Sequence, residues 1–354
     1  MIAGNDIEIV SVNDIKNIGA EISADNNISL ESIKGSIWNK STARVNDLTY
    51  KIDSDIENTA KISGADISIK AGENYINTAA LVEGKGNLEI AAKEVVIDTI
   101  EMHDYEKQGG KKNYTITESY TNAGSVITGE NISISADKNI NIKGSDIAAD
   151  SELRLKAGED VNLTASIDSD YYEHQESKKK SFGRGKSKTE VKYSTSHNGT
   201  NLIGENVSIE SGKDTVIIGS NIQAGPEGSA VINAGGDIVQ AAVKDINYSY
   251  KKTTKTGFLG LTGSSKSTEQ YKEEAVKSNT ISGIGGTSYD AGNGILLEGV
   301  TVVSTGNITL KGKKYLSTLW KHRHIKKKLK RKKDSAAHLV EELLAFHMEN
   351  QKMR

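Results

Sequence analysis

Apolar and polar residues alternate along this chain in short runs, each three to five residues long and each closed by a turn signal. In Asn131-Ile132-Ser133-Ile134-Ser135-Ala136 and Asn139-Ile140-Asn141-Ile142, every second residue is aliphatic, the period of a strand with one face buried. A step of 21 residues carries Ile132, Ile134, Ile140 and Ile142 onto Leu153, Leu155, Val161 and Leu163. The same step carries Ile67, Ile69 and Tyr75 onto Leu88, Ile90 and Val96, and a two-residue insertion at Gly225-Pro226 lets Ile209 reach Ile232. Breaks fall at Ala-Gly, Ala-Asp or Ser-Gly, and the strands are too short to pair as hairpins of their own. One coil of a parallel β-helix has this length, with equivalent residues stacked about 4.8 Å apart. The expected fold is therefore all-β, a right-handed parallel β-helix. Asn74, Asn139 and Asn307 are expected at turns, with left-handed backbone and stacked amides.

A longer repeat lies above the coils. Ile67, Ile132, Val207 and Val300 are read as equivalent, and the growth between them falls in polar segments at 31–62, 99–127, 166–202 and 243–292. These segments hold 11 of the 13 tyrosines. Flanks such as Tyr114-Thr115-Ile116-Thr117 and Glu190-Val191-Lys192-Tyr193 alternate again, so each segment is read as a β-hairpin leaving the rod, with its glycines at the tip.

Composition narrows the class. Only one proline and no cysteine occur among 354 residues, which excludes a disulfide framework and a thiolate metal site. The N-terminus has no basic and apolar leader, and no apolar run is long enough for a membrane helix. The net charge of -2 divides unevenly: residues from Lys311 onward carry 14 Lys+Arg against 4 Asp+Glu, leaving a net of -12 for 1–310.

The Gly129-Glu130-Asn131-Ile132-Ser133-Ile134 coil and the tyrosine-bearing segment around Lys178-Lys179-Lys180-Ser181-Phe182-Gly183 together resemble the hemagglutinin repeats of filamentous-hemagglutinin-like exoproteins. That family includes adhesins and contact-dependent growth-inhibition toxins exported by two-partner secretion. The resemblance covers about residues 1–312. It implies a secreted β-helical stalk at the bacterial surface, an outer-membrane transporter as partner of the intact protein and, in toxin members, action of the repeats at the target cell's outer membrane during toxin delivery.

Candidate chemistry is thin in the body. The pairs Asp53/Asp55, Asp168/Asp170 and Glu273/Glu274 are the carboxylates a β-helical polysaccharide lyase or hydrolase would use, the rival reading, but no Asp, Arg and Lys cluster recurs at one coil position. His174 and His197 are placed to face each other across one hairpin, as metal ligands would, although surface residence is the plainer reading. Gly109-Gly110-Lys111-Lys112 and Gly183-Arg184-Gly185-Lys186 precede no helix and do not make a phosphate loop. The expected function is a structural and adhesive stalk, not an enzyme, with no cofactor and no metal. Contact with a cell-surface receptor, lipopolysaccharide or glycan is assigned to Tyr171, Tyr172, Lys178, Lys179, Lys180, Tyr193, Tyr248, Tyr250, Lys251 and Lys252. The bland reading of the same residues is cross-strand support of a solvated hairpin. Three regions follow: the β-helix at 1–312, a disordered basic segment at 313–333 and a short helix at 334–354 that departs from the repeat as a shifted reading frame would. No specific nucleic acid is expected to bind the basic run.

Overall fold

The structure, a computed structural model, describes residues 1–318 and the backbone of a strand at His324–Lys327. It is a parallel β-helix with a second sheet standing on its side. Each coil passes through three short strands, as in Lys61–Gly64, Ile67–Ala71 and Asn74–Thr78, followed by Leu81–Gly84, Asn87–Ala92 and Glu94–Asp98. The third strand of every coil joins one ten-stranded parallel sheet, so the rod is ten coils deep, about 45 Å at the usual strand spacing. First and second strands run together as an eighteen-stranded sheet, because Val126–Ala136 and Asp146–Ala157 each continue from one face to the next.

The expected ladders form. Ile132, Ile134, Ile140 and Ile142 stand beside Leu153, Leu155, Val161 and Leu163, and Ile209 beside Ile232. All are buried in one continuous core with Ile67, Leu88, Ile127 and Leu202. Two correspondences shift. Tyr75 pairs with Val95, not Val96, because the turn before Glu94 is one residue shorter than the sequence step assumes. Val300 does not belong to the Ile67 row; it sits at a corner before Thr301–Ser304, and the row passes from Val207 through Ala230 and Thr287 to Ile308. No asparagine is left-handed among the described residues. Amides stack in a half-buried row, where Asn221 Nδ2 donates to Asn201 Oδ1 and Asn279 Nδ2 to Asn221 Oδ1 at 2.9 Å, and also inside, where Asn17 Nδ2 donates to Asn39 Oδ1 at 2.8 Å and Asn39 Nδ2 to Asn77 Oδ1 at 2.7 Å. The inner amides are buried, and Asn39 and Asn77 have both oxygen and nitrogen bonded, which removes most of the desolvation cost.

The corner after the third strand decides where the chain goes. At alternate coils it holds a left-handed residue, namely Gly19, Ala79, Gly144, Gly219 and Gly299 with φ of 56, 47, 50, 60 and 65°. There the chain turns straight into the next coil. A Cβ at Gly144 would lie 2.4 Å from Ser166 Oγ, so a side chain is excluded by both space and backbone. At the intervening coils the equivalent residues are Ser41, Thr99, Ala165 and Ala242, none left-handed, and the chain runs outward as a hairpin.

Four hairpins result: Thr42–Leu48 with Lys51–Asn58, Ile100–Gly109 with Tyr114–Ala123, Ser166–Lys179 with Gly185–Asn198, and Val243–Thr256 with Gly263–Val276. They are shorter than the segments 31–62 and 243–292, whose outer parts are coil strands. Tyr289 in the last segment is a core residue, its hydroxyl 2.8 Å from both Gln240 Oε1 and Thr280 Oγ1. The rod also runs past residue 312: Lys314–Thr318 pairs in parallel with Gly294–Glu298, so the start of the segment expected to be disordered is a coil strand. The helix expected at 334–354 and most of the basic run lie outside the described residues.

A candidate contact surface on the hairpin sheet

The hairpins do not protrude singly. With His324–Lys327 they form one nine-stranded antiparallel sheet, a fin that runs beside the rod. Its continuity follows from a match of spacings. Two coils advance the rod by two strand separations, and one hairpin fills two strand separations in the fin, so each hairpin arrives next to its predecessor. Ser166–Lys179 pairs with Tyr114–Ala123, and Val243–Thr256 with Gly185–Asn198, through seven and ten residue pairs. Most residues along the inner length of these strands are only half-buried whichever side they face, the mark of a single layer wetted on both sides.

One row crosses the whole fin. Tyr105 pairs with Glu118, Glu118 with Tyr171, Tyr171 with Tyr193, Tyr193 with Tyr248 and Tyr248 with Tyr271. Tyr105, Tyr171 and Tyr248 each stand seven residues beyond the end of a third-face strand, at Asp98, Thr164 and Ala241, which places them at one distance from the rod. The Tyr171 and Tyr248 hydroxyls, and that of Tyr114 beside them, are engaged with carboxylates on the same face. Tyr171 donates to Glu173 Oε2 at 2.9 Å, Tyr114 to Glu173 Oε1 at 2.7 Å, and Tyr248 to Glu269 Oε1 at 3.4 Å. His103 stacks on Tyr120 at 4.3 Å and meets Glu118 Oε1 at 2.9 Å. Burial, with Glu173 beside it, pushes the Tyr114 phenol up to about 12; burial and Glu118 do the same for Tyr120. Burial also raises Tyr171, Tyr193, Tyr248 and Tyr250 above the ordinary phenol range.

The residues assigned to contact therefore separate. Tyr171, Tyr193, Tyr248, Tyr250, Lys179 and Lys252 share the tyrosine face; Tyr172, Lys178 and Lys251 lie on the opposite one; Lys180 is at the tip, its N–H on the Arg184 carbonyl. Tyr248 is 5% exposed and packs within the fin, so its first role is cross-strand support. On the opposite face Tyr172 lies under Lys192 Nζ at 5.3 Å, and Lys251, Lys188 and Lys192 converge on Glu190. His174 and His197 do not meet. His174 bonds Thr115 at 3.0 Å on the Tyr172 face, and His197 Nδ1 lies 2.7 Å from Asp245 Oδ1 at the root of the other face. His174 stands across from Glu190, and His197 is seven residues from Glu190 on that strand, so alternation puts the two histidines on opposite faces.

Three of the six paired carboxylates have local work. Asp168 ties Asn122 and Asn198 at the hairpin roots, Glu273 accepts from Tyr271 and pairs with Lys244, and Glu274 pairs with Lys272. Asp53 and Asp55 stand across from Asn46 and Arg44 in the first hairpin. Sequence reasoning missed the fin itself and the shared row. Its signal was the seven-residue spacing of tyrosine from the last coil strand in three hairpins, together with glycine at four of the five alternate corners.

A β-helix whose coils are built on repeated aliphatic ladders, with a hairpin sheet along one side, defines a structural stalk. Residues 105–257 match the hemagglutinin repeat family, so this part of the chain is a hemagglutinin-repeat region of the kind found in filamentous-hemagglutinin-like exoproteins. It is similar to the 16S rRNA endonuclease CdiA of Enterobacter cloacae, 30% identical over 219 residues, which are 57% of this chain and 6% of that protein. The tRNA nuclease CdiA of Yersinia mollaretii is 32% identical over 179 residues, 47% of this chain and 6% of that protein. The tRNA nuclease CdiA-2 of Burkholderia pseudomallei is 28% identical over 233 residues, 57% of this chain and 7% of that protein. The chain thus spans a small fraction of these relatives, and the nuclease in their names is said of them. No solved structure matches.

Proposed function

We propose that this chain is a stalk segment of a secreted, surface-displayed exoprotein exported with an outer-membrane transporter, and that its fin contacts a cell-surface receptor, lipopolysaccharide or glycan. In a toxin-bearing parent the same contact would support toxin delivery. The observation that carries this reading is the fin: a single-layer sheet, both faces wet, that sets a tyrosine at one distance from the rod in three hairpins and carries lysine clusters farther out in the last two. Repeated weak contacts at regular spacing sum to useful avidity. The tyrosine row holds the fin together, so outside contact falls to Lys179, Lys180 and Lys252, joined by Tyr172, Lys178 and Lys251 when these exchange their partners Lys192, Glu176 and Glu190.

The test compares the full chain with a variant carrying Tyr172→Ala and the five lysines as Gln, measured against whole bacterial cells over a range of salt. The row is untouched, so circular dichroism of the two should coincide. Binding should weaken about tenfold or more, and binding of the parent chain should fall as salt shortens the screening length from about 8 Å. Equal binding by both proteins would make this chain a passive spacer.

A further inference from the structure

At the outer end of the fin the third and fourth hairpin tips join. The Leu259 N–H donates to the Phe182 carbonyl at 2.8 Å, and the rings of Phe182 and Phe258 lie 5.8 Å apart. Four large apolar side chains face water there: Phe182 71% exposed, Phe258 49%, Leu259 62% and Leu261 82%. Phe182 and Leu259 take φ of 59 and 52°, each followed by a left-handed glycine, Gly183 or Gly260. Glycine would adopt the first position without strain, yet both tips place a bulky apolar residue in it. Two tips that share a backbone solution and the same departure from the cheapest residue argue that the exposed apolar apex has a use.

Charge points the same way. Residues 177–188 and 251–268, the outer halves of these hairpins, contain ten Lys+Arg and no Asp or Glu, although residues 1–310 carry a net of -12. Arg184 lies 5.9 Å from the Phe258 ring. Beside the apex is a hollow of about 440 Å³ walled by Lys178, Lys179, Lys180, Arg184 and Lys186, with Thr254 and Thr256 as its floor. Apolar side chains at a convex point, backed by cations and a hollow lined with donors, complement a soft anionic layer whose phosphates sit above hydrocarbon. A soluble sugar would call for a flat or concave aromatic platform, which the apex does not offer.

We propose that this apex docks on an anionic lipid bilayer. Phe182, Phe258, Leu259 and Leu261 enter the boundary between headgroups and acyl chains, while the cations behind them hold lipid phosphates. The proposal rests on the contact reading above and names the partner of its outermost part. Because the chain has no cysteine, Leu261→Cys accepts a single environment-sensitive dye, and Glu130→Cys on an exposed coil position gives the control. Both labelled full-length chains are mixed with phosphatidylcholine vesicles containing phosphatidylglycerol, with phosphatidylcholine vesicles alone, and with inorganic phosphate. The dye at 261 should shift to the blue on anionic vesicles only, and the dye at 130 should not shift at all. Phe182→Ser, Phe258→Ser and Leu259→Ser together should lower vesicle affinity about a hundredfold at moderate salt. Vesicle binding without a shift at 261 would place the attachment elsewhere in the chain and overturn the proposal, as would an equal shift with free phosphate. Binding to cells without a shift on vesicles would leave the contact reading standing and remove the lipid.

Discussion

Removing the third hairpin tests how the fin and the rod depend on each other. The perturbation replaces residues 167–197 with a short glycine-serine turn between Ser166 and Asn198. Tyr114–Ala123 would lose its seven residue pairs to the hairpin, and Val243–Thr256 its ten. The two strands left behind stand three strand separations apart, about 14 Å, too far to pair with each other. At a net gain of about 0.5 kcal/mol for each solvated pair, the low end for a backbone hydrogen bond, seven pairs amount to about 3.5 kcal/mol. Amides that bonded across the junction should then exchange with solvent a few hundredfold faster. Coil strands such as Asp146–Ala157 and Asn206–Ser211 bond to each other through the rod and should keep their protection. Hydrogen exchange read by mass spectrometry resolves these peptides. Loss of protection in the coils would show that the fin carries the rod, and unchanged exchange in 114–123 would show that the hairpins stand independently. Either result refutes the spacing argument. The bared strand edges should also promote association, visible as concentration-dependent scattering.

Ile142→Lys should cost several kcal/mol, because the ammonium would enter the core beside Leu163 without a partner; a large drop in urea midpoint checks it. Asn39→Leu should cost about 2–4 kcal/mol by cutting three bonds, two of them fully buried, and the loss of exchange protection should stay near the first coils, because coils couple mainly to their neighbours. Gly144→Val should cost about 1–3 kcal/mol or more from its left-handed φ alone, measured as a lower midpoint, whereas Thr99→Val at a hairpin exit should cost less. The Tyr114 and Tyr120 phenols, raised from 10.0 to about 12, hold their protons more tightly folded than unfolded. Their stabilisation is complete below pH 10 and lost as pH rises towards 12, so fin peptides should lose exchange protection in that window as phenolate absorbance appears.

The coil was legible because its physics is local. Ile132, Ile134, Ile140 and Ile142 repeat with period two and recur one coil later, and burial of that face leaves a single register. The hairpins were legible for the same reason, but not their union. Pairing of Tyr171 with Glu118 and of Tyr193 with Tyr248 depends on where three separate coils place their exits, and no window of sequence contains all of them. Assigning every tyrosine and lysine of a hairpin to one surface failed on parity. Tyr171 and Tyr172 point to opposite faces, and carboxylates such as Glu173 engage the hydroxyls of the tyrosine row on one of them. Four of the five plain corners are glycines, but the breaks read from Ala-Gly, Ala-Asp and Ser-Gly belong to the turn before the third strand; the alternation of Gly19, Ala79, Gly144, Gly219 and Gly299 with Ser41, Thr99, Ala165 and Ala242 is what separates a plain coil from one that leaves the rod.

The fin also gives the stalk a mechanical direction. Its strands stack along the rod's axis and are tied to it at every second coil, like a flange along a beam. Bending the rod in the plane of the fin must stretch or compress the strand spacing at the outer tips, and hydrogen bonds tolerate little change in length. Bending across that plane asks only for a change in sheet twist, a much softer deformation. A stalk of this kind flexes sideways and resists flexing towards its tips, so the tips keep their distance from the rod while the whole molecule sways.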